Sequence, residues 1–304
     1  MALKDLPREE FLYPGTGACA GCAGSLALRT VLKALGKNTM VIIPACCTAS
    51  IEGYYPTTPF RVPVLTIAFA AAGAAASGLS AAMKRLGQEE TNVVVWAGDG
   101  GTYDIGLQAL SGAVERGTNF IYICYNNEVY SNTGVQRSGA TPFGAWSTTT
   151  WTGKTEQRKD MPAIVRAHNI PYMATASASY VEDLFRKVQH ASSLKGPKYI
   201  EIHIPCSPGW RFPMDKTVEI GRLAVETGAW ALYEYENGTF TFNGRSKRIL
   251  ERRVDPKPIE DYLQLQGRFA HLFKPSRDEA RLEIIKEQLE LDWDRFRKQV
   301  ECAS

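Results

Sequence analysis

Histidine is scarce here, with four in 304 residues, and His168, His190, His203 and His271 have no mutual spacing suited to metal or acid–base work. Charge of one sign is missing too. Thirty-five Lys and Arg face 32 Asp and Glu, a net +3 that is too mild to argue for nucleic acid or a membrane surface. No apolar run is long enough to span a bilayer: the most apolar stretch, 62–83, is Ala-rich and broken by Pro63, Gly73 and Gly78, so it reads as a strand and a buried helix. The first ten residues lack the apolar core of a signal peptide, which points to the cytoplasm. Repeats and low-complexity tracts are absent. The seven cysteines are odd in number, which argues against a disulfide framework and leaves metal ligation or inert burial. What remains, 44% hydrophobic and 22% charged, is an ordinary globular composition with material for a sizeable core.

Apolar runs and helical periods alternate from about residue 40 to 205. Strands are expected at 40–44, 64–69, 93–97, 120–125, 172–176 and 199–204, and helices at 23–35, 70–86, 104–116, 161–168 and 181–192. That alternation predicts an α/β fold with a doubly wound parallel sheet. Residues 138–160 look irregular, and a stretch of that length without structure is usually functional. Beyond 206 the character changes. A hairpin is expected around Glu236-Asn237-Gly238 and a charged amphipathic helix over 277–300. The chain is therefore divided into 1–206, a cofactor-bearing domain, and 207–304, an extension or arm.

Two motifs end consecutive strands. Gly98-Asp99-Gly100 follows the 93–97 run, and the segment from Asn126 to Gly134, containing Asn127 28 positions after Asp99, follows the 120–125 run. In an open parallel sheet both would lie on the carboxyl rim, where ligands bind. Asp99 offers a carboxylate oxygen, Asn127 an amide oxygen, and the backbone beyond it a carbonyl. Such hard oxygens suit Mg²⁺, which completes its octahedron with phosphate and water. The glycines allow backbone N–H groups to approach a diphosphate. Alone, Gly-Asp-Gly is also a common turn. Paired with the second motif it resembles the diphosphate-binding signature of thiamine-diphosphate enzymes.

Cys19 and Cys22 form a C-x-x-C, Cys47 follows the 40–44 strand, and Cys206 follows the 199–204 strand. Four thiolates at loops and strand ends suit a [4Fe–4S] cluster or a structural zinc ion. A thioredoxin-like pair and unliganded thiols are the other readings. Spacing does not decide between Cys46 and Cys47. Cys124 falls inside an apolar strand and is expected to be an inert core residue. Cys302 lies near the C-terminus, with no motif around it.

Taken together, Cys19-Ala20-Gly21-Cys22, the run from Gly98 to Gly106, Glu128 to Gly134, Gln136 to Pro142, Cys206 to Arg211, Leu223 to Gly228 and Tyr262 to Phe269 resemble the β subunit of 2-oxoacid:ferredoxin oxidoreductases, most nearly the pyruvate enzyme. The resemblance implies that Cys19, Cys22, Cys47 and Cys206 hold a [4Fe–4S] cluster. It implies that Asp99, Asn127 and the Val129 carbonyl hold Mg²⁺, that Gly98, Gly100 and Thr133 line the thiamine diphosphate, and that Asn132 stands beside thiazolium and substrate. It also implies partners: an α subunit with the pyrimidine-binding domain and its activating Glu, a ferredoxin-like cluster subunit, ferredoxin as acceptor, a 2-oxoacid substrate and coenzyme A.

The chain departs from that pattern at three places where pyruvate β subunits often carry a carboxylate, since Gly24, Ala49 and Ala70 stand there. Fewer anionic groups in a desolvated pocket favour a more negative substrate, and oxalate, a dianion, becomes the alternative. A non-redox thiamine enzyme would not need the four cysteines. A zinc-stabilised binding module would not need the diphosphate motif. Glu128 is expected to stand solvated, with no direct role. His203 is expected to be structural, and Trp146, Trp151 and Trp210 either cover the cofactor or anchor the core.

Overall fold

The computed structural model describes residues 3–54 and 56–303, and the side chain of Cys302 lies outside those described. Its centre is a sheet of eight strands: β1 (Thr39–Pro44), β2 (Val64–Ile67), β3 (Asn92–Gly98), β4 (Phe120–Asn126), β5 (Tyr172–Ser177), β6 (Pro197–His203), β7 (Tyr233–Glu236) and β8 (Thr239–Phe242). They lie in the order β2-β1-β3-β4-β6-β5-β7-β8. The first six run parallel, and β7 and β8 join antiparallel at one edge. The chain steps outward from β1 to β2, then returns past β1 to β3. The winding therefore reverses between β1 and β3, which opens a crevice at their carboxyl ends.

The central strands are apolar on both sides because helices cover both faces. Val94 and Trp96 pack with α1 (Ala23–Leu35) and α6 (Val181–Ser193), whereas Val93, Val95 and Ala97 pack with α3 (Ala72–Arg85), α4 (Leu107–Glu115) and α5 (Met161–Arg166). A short helix that periodicity did not suggest, α2 (Cys47–Glu52), begins at Cys47 immediately after β1. Where a helix over 104–116 is expected, Gly100–Asp104 instead forms one π-helical turn ahead of α4. Residues 138–160 are irregular, as expected.

Residues 207–304 supply α7 (Ser207–Trp210), α8 (Thr217–Glu226), α9 (Gly244–Leu250), α10 (Ile259–Leu263) and the long α11 (Glu279–Ala303), besides the last two strands. The hairpin turns at Asn237 and Gly238, both with positive φ (47° and 93°), the twist that suits a two-residue turn between right-twisted strands. The segment does not trail free. It extends the sheet and builds its own apolar cluster around Trp210, Trp230, Tyr262 and Phe269, which also takes in Ala145.

The small residues of α3 permit a close approach to α4. A Cβ on Gly73 would stand 2.4 Å from the Ala109 carbonyl oxygen, whereas one on Gly78 meets nothing within 4 Å. Gly73→Ala is expected to destabilise the protein by about 1–3 kcal/mol through overpacking. Gly78→Ala should stabilise it by roughly 0.5–1 kcal/mol through helix propensity. Denaturant melts of the two variants check the contrast, and equal effects would contradict the packing argument.

Candidate functional site: a metal-facing loop beside four cysteines

β3 and β4 are neighbours in parallel register, with Gly98 beside Tyr125. Asp99 and Asn127 therefore leave the sheet side by side. One end of the Asn127 amide lies 2.7 Å from the Val129 carbonyl oxygen and 2.8 Å from Asp99 Oδ1. With its NH₂ turned inward, the amide would donate to both. With its oxygen turned inward, three oxygens converge and need a cation between them. The spacing suits hydrogen bonds in the first case, and it also suits the second, since an octahedral Mg²⁺ with bonds of about 2.0–2.1 Å sets neighbouring ligands about 3 Å apart.

Asp99 is only 1% exposed. Burial pushes its carboxyl up to about 8, Glu128 and Asp104 push the same way, and the Ser138 hydroxyl, donating at 2.5 Å, only partly offsets them. A divalent cation would remove that penalty, so the residues present fit the ion. Among the described residues no three His, Cys, Asp or Glu side chains are gathered as ligands of one ion. Here two of the three oxygens belong to an amide and a main-chain carbonyl.

The second glycine of the first motif is required by a neighbour. A Cβ on Gly100 would enter the Tyr130 ring at 2.2 Å. That ring's hydroxyl donates to Asp104 (2.9 Å), which also accepts from the Gly139 N–H (3.0 Å) and the Lys159 ammonium (2.7 Å). Asp104 thus pins the 138–160 segment against the loop.

The loop turns at Glu128, which holds φ at +61°, an uncommon value for a residue with a side chain. Its N–H bonds Asn126 Oδ1 (2.9 Å), its carbonyl accepts from Thr141 (2.6 Å), and Trp210 Nε1 donates to the Asn127 carbonyl (2.7 Å). The expectation that Glu128 is solvated is overturned. The residue is 4% exposed, and its carboxylate pairs with the buried Arg268 guanidinium at 2.6 Å and with Arg158 at 3.6 Å. Burial alone would raise its pKa, but Arg268, His203 and Arg158 bring it below the ordinary value. Glu128, Arg158 and Arg268 line a cavity of about 340 Å³ that includes neither Asp99, Asn127 nor any cysteine.

The sulfurs lie further along the same rim. Burial pushes the Cys47 thiol up to about 12, and repulsion from Cys206, Cys46 and Cys22 adds to it. Cys206 is raised by burial and by Cys22 and Cys19. Cys47 thus interacts with Cys22 and Cys206, and Cys206 with Cys19 and Cys22. Cys46 instead contacts the Tyr125 hydroxyl and interacts chiefly with its own turn. Cys124 is fully buried in β4.

Asn132 and Thr133 stand exposed at the rim, and the Thr133 hydroxyl donates to Gln136 at 2.6 Å. Trp210 is fully buried beneath the loop and Trp151 is 78% exposed, while Trp146 stacks on the Arg211 guanidinium at 3.5 Å. His203 is buried beside Trp210 and Trp230, and burial lowers it to about 4. Arg268, Arg158 and Ser138 were missed from sequence. The one available signal for Arg268 was its place in the 262–269 segment quoted above.

Known proteins resemble this chain in sequence and fold. The model of the family "Thiamine pyrophosphate enzyme, C-terminal TPP binding domain" matches residues 45–202. The chain is 52% identical over 272 residues to pyruvate synthase subunit PorB of Methanothermobacter thermautotrophicus, covering 88% of this chain and 92% of that one. It is 46% identical over 306 aligned residues to ketoisovalerate oxidoreductase subunit VorB of Pyrococcus abyssi, covering 97% and 95%. Its fold also matches a chain of 2-oxoglutarate:ferredoxin oxidoreductase from Magnetococcus marinus, with a TM-score of 0.60 over 89% of this chain and 98% of that one, at 18% identity. By these relatives and by its thiamine-diphosphate-binding domain, the chain belongs to the β subunits of the 2-oxoacid:ferredoxin oxidoreductases, enzymes assembled from several chains.

Proposed function

We propose that this β subunit serves the oxidative decarboxylation of pyruvate, giving acetyl-coenzyme A and CO₂ and passing two electrons to ferredoxin. The observation that carries the reading is the placing of three convergent oxygens and four interacting cysteines on one rim. The relatives named PorB favour pyruvate, and the nearly full-length likeness to VorB makes a branched 2-oxoacid the second reading. The residues at Gly24, Ala49 and Ala70 keep oxalate in the test.

Thiamine diphosphate, when bound, supplies the electron sink for the pair released as the carboxylate leaves. The chain's own residues position it. Asp99, Asn127 and the Val129 carbonyl would hold Mg²⁺ against the diphosphate. Gly98 and Gly100 admit its oxygens to the backbone, with Thr133 beside them, and Asn132 would face the reacting end. Cys19, Cys22, Cys47 and Cys206 would hold the [4Fe–4S] cluster that receives electrons one at a time. We assign 1–206 to this chemistry and 207–304 to an extension fused to its sheet. The six described cysteines are all free, in keeping with a cytoplasmic setting. An α subunit would contribute the pyrimidine-binding domain and activating Glu, and a ferredoxin-like subunit the onward clusters.

Asp99→Ala is expected to weaken thiamine diphosphate binding by ~100-fold or more, beyond the 10–100-fold typical of outer-shell partners, and Asn127→Leu by about 10-fold. Calorimetric titration in Mg²⁺ measures both, and unchanged affinity in Asp99→Ala removes it from the site. Iron analysis separates the cysteines. Cys22→Ala, Cys47→Ala and Cys206→Ala should each lose iron, whereas Cys46→Ala and Cys124→Ala should keep it. The chain expressed alone and reconstituted with iron, sulfide, Mg²⁺ and thiamine diphosphate should turn over no 2-oxoacid. The co-expressed complex should reduce ferredoxin with pyruvate, dependent on coenzyme A. Ketoisovalerate or oxalate as the better substrate would reassign the substrate, and turnover by the isolated chain would refute the need for an α subunit.

A further inference from the structure

Two donors on the metal-facing loop point at sulfur. Just before them in the chain the loop offers the Val129 carbonyl to the proposed cation site; then the Ser131 hydroxyl lies 3.0 Å from Cys206 Sγ and the Asn132 main-chain N–H faces Cys47. Cys206 is the hydroxyl's one hydrogen-bond partner among the described residues. A glycine borders the contact. A Cβ on Gly209 would stand 3.1 Å from Cys206 Sγ and 3.2 Å from Ser131 Oγ, crowding both. The Gly209 N–H adds a second donor to the same sulfur. As a free thiol Cys206 could be donor or acceptor, but as an iron ligand it has lost its proton, so only the hydroxyl can donate.

We propose that Ser131 is a positioning residue for the cluster: its hydroxyl donates to the Cys206 thiolate, orients that ligand and raises the cluster's reduction potential. This rests on the cluster reading above. A donor to ligand sulfur draws off negative charge and so stabilises the reduced cluster, which carries one electron more. Ser131 thereby makes the first acceptor easier to reduce, from the same loop that fixes the cation.

The test is an EPR-monitored redox titration of the co-expressed complex. The signal component missing from Cys206→Ala identifies this chain's cluster among those of the complex. In Ser131→Ala that component should keep its iron and the complex its melting temperature. Its reduced-to-oxidised ratio at a fixed potential should fall about 10-fold, a shift of about 59 mV for one electron. Ser131→Thr, which retains the hydroxyl, should restore the wild-type value. An unshifted component in Ser131→Ala overturns the proposal. Should Ser131→Ala lose iron, pulsed EPR of wild type and Ser131→Thr in D₂O decides, since a coupled exchangeable proton is expected in both and its absence overturns the proposal. If Cys206→Ala removes no component and wild-type iron is unchanged, the cluster reading itself falls, and Ser131 with it.

Discussion

The buried pair between Glu128 and Arg268 holds the site to the rest of the molecule. Glu128 sits between two of the three convergent oxygens, in a backbone conformation that few residues with a side chain adopt. Its carboxylate is held from 140 residues away by a guanidinium that also lies over the Trp210 ring at 3.8 Å. Removing one partner of such a pair typically costs about 3–5 kcal/mol, because the other charge is left buried alone. The strained turn is thus held by a charge it cannot release cheaply. Trp210 completes the brace, donating to the Asn127 carbonyl from beneath. Through these two contacts the C-terminal third decides where Asn127 and Val129 point.

That dependence explains what was legible in the sequence and what was not. Strands and helices repeat at short range, so the runs 93–97 and 120–125 announced β3 and β4, and the motifs after them announced the carboxyl rim. Asp99, Asn127 and Val129 follow two adjacent strand ends, so their coming together was readable for the same reason. Glu128 was misread because a carboxylate in a polar loop is usually solvated, and its partner lies 140 residues on. α2 was missed because six residues give too little period to detect. The split of 104–116 into a π turn and α4 follows from Gly106, where a Cβ would strike the Gly101 carbonyl at 2.1 Å. No pattern of apolar residues records that contact.

The rim also bears on the expectation that this chain does not act alone. The edge strand β2 leaves Leu65 45% exposed, and Asn132 and Thr133 face outward. The cavity of about 340 Å³ lies elsewhere, lined by Glu128. Decarboxylation chemistry needs a dry pocket in which electrostatic effects are strong, and this surface offers only one wall of it. On the proposed reading a partner chain supplies the second wall, in keeping with relatives that are named as subunits.

Within one loop, then, the proposed reading has two demands met by four neighbouring residues. On that reading the Val129 carbonyl and the Asn127 amide serve a cation, and donors at Ser131 and Asn132 serve the sulfurs. Because those positions are at most five residues apart, a shift that tightens the oxygens also moves the donors. Loading the diphosphate end and setting the electron affinity of the sulfur end are therefore mechanically linked on the proposed reading. On that reading a substrate-side event reaches the cluster with no separate relay, and Gly209, where a Cβ would crowd both Ser131 and Cys206, borders the link.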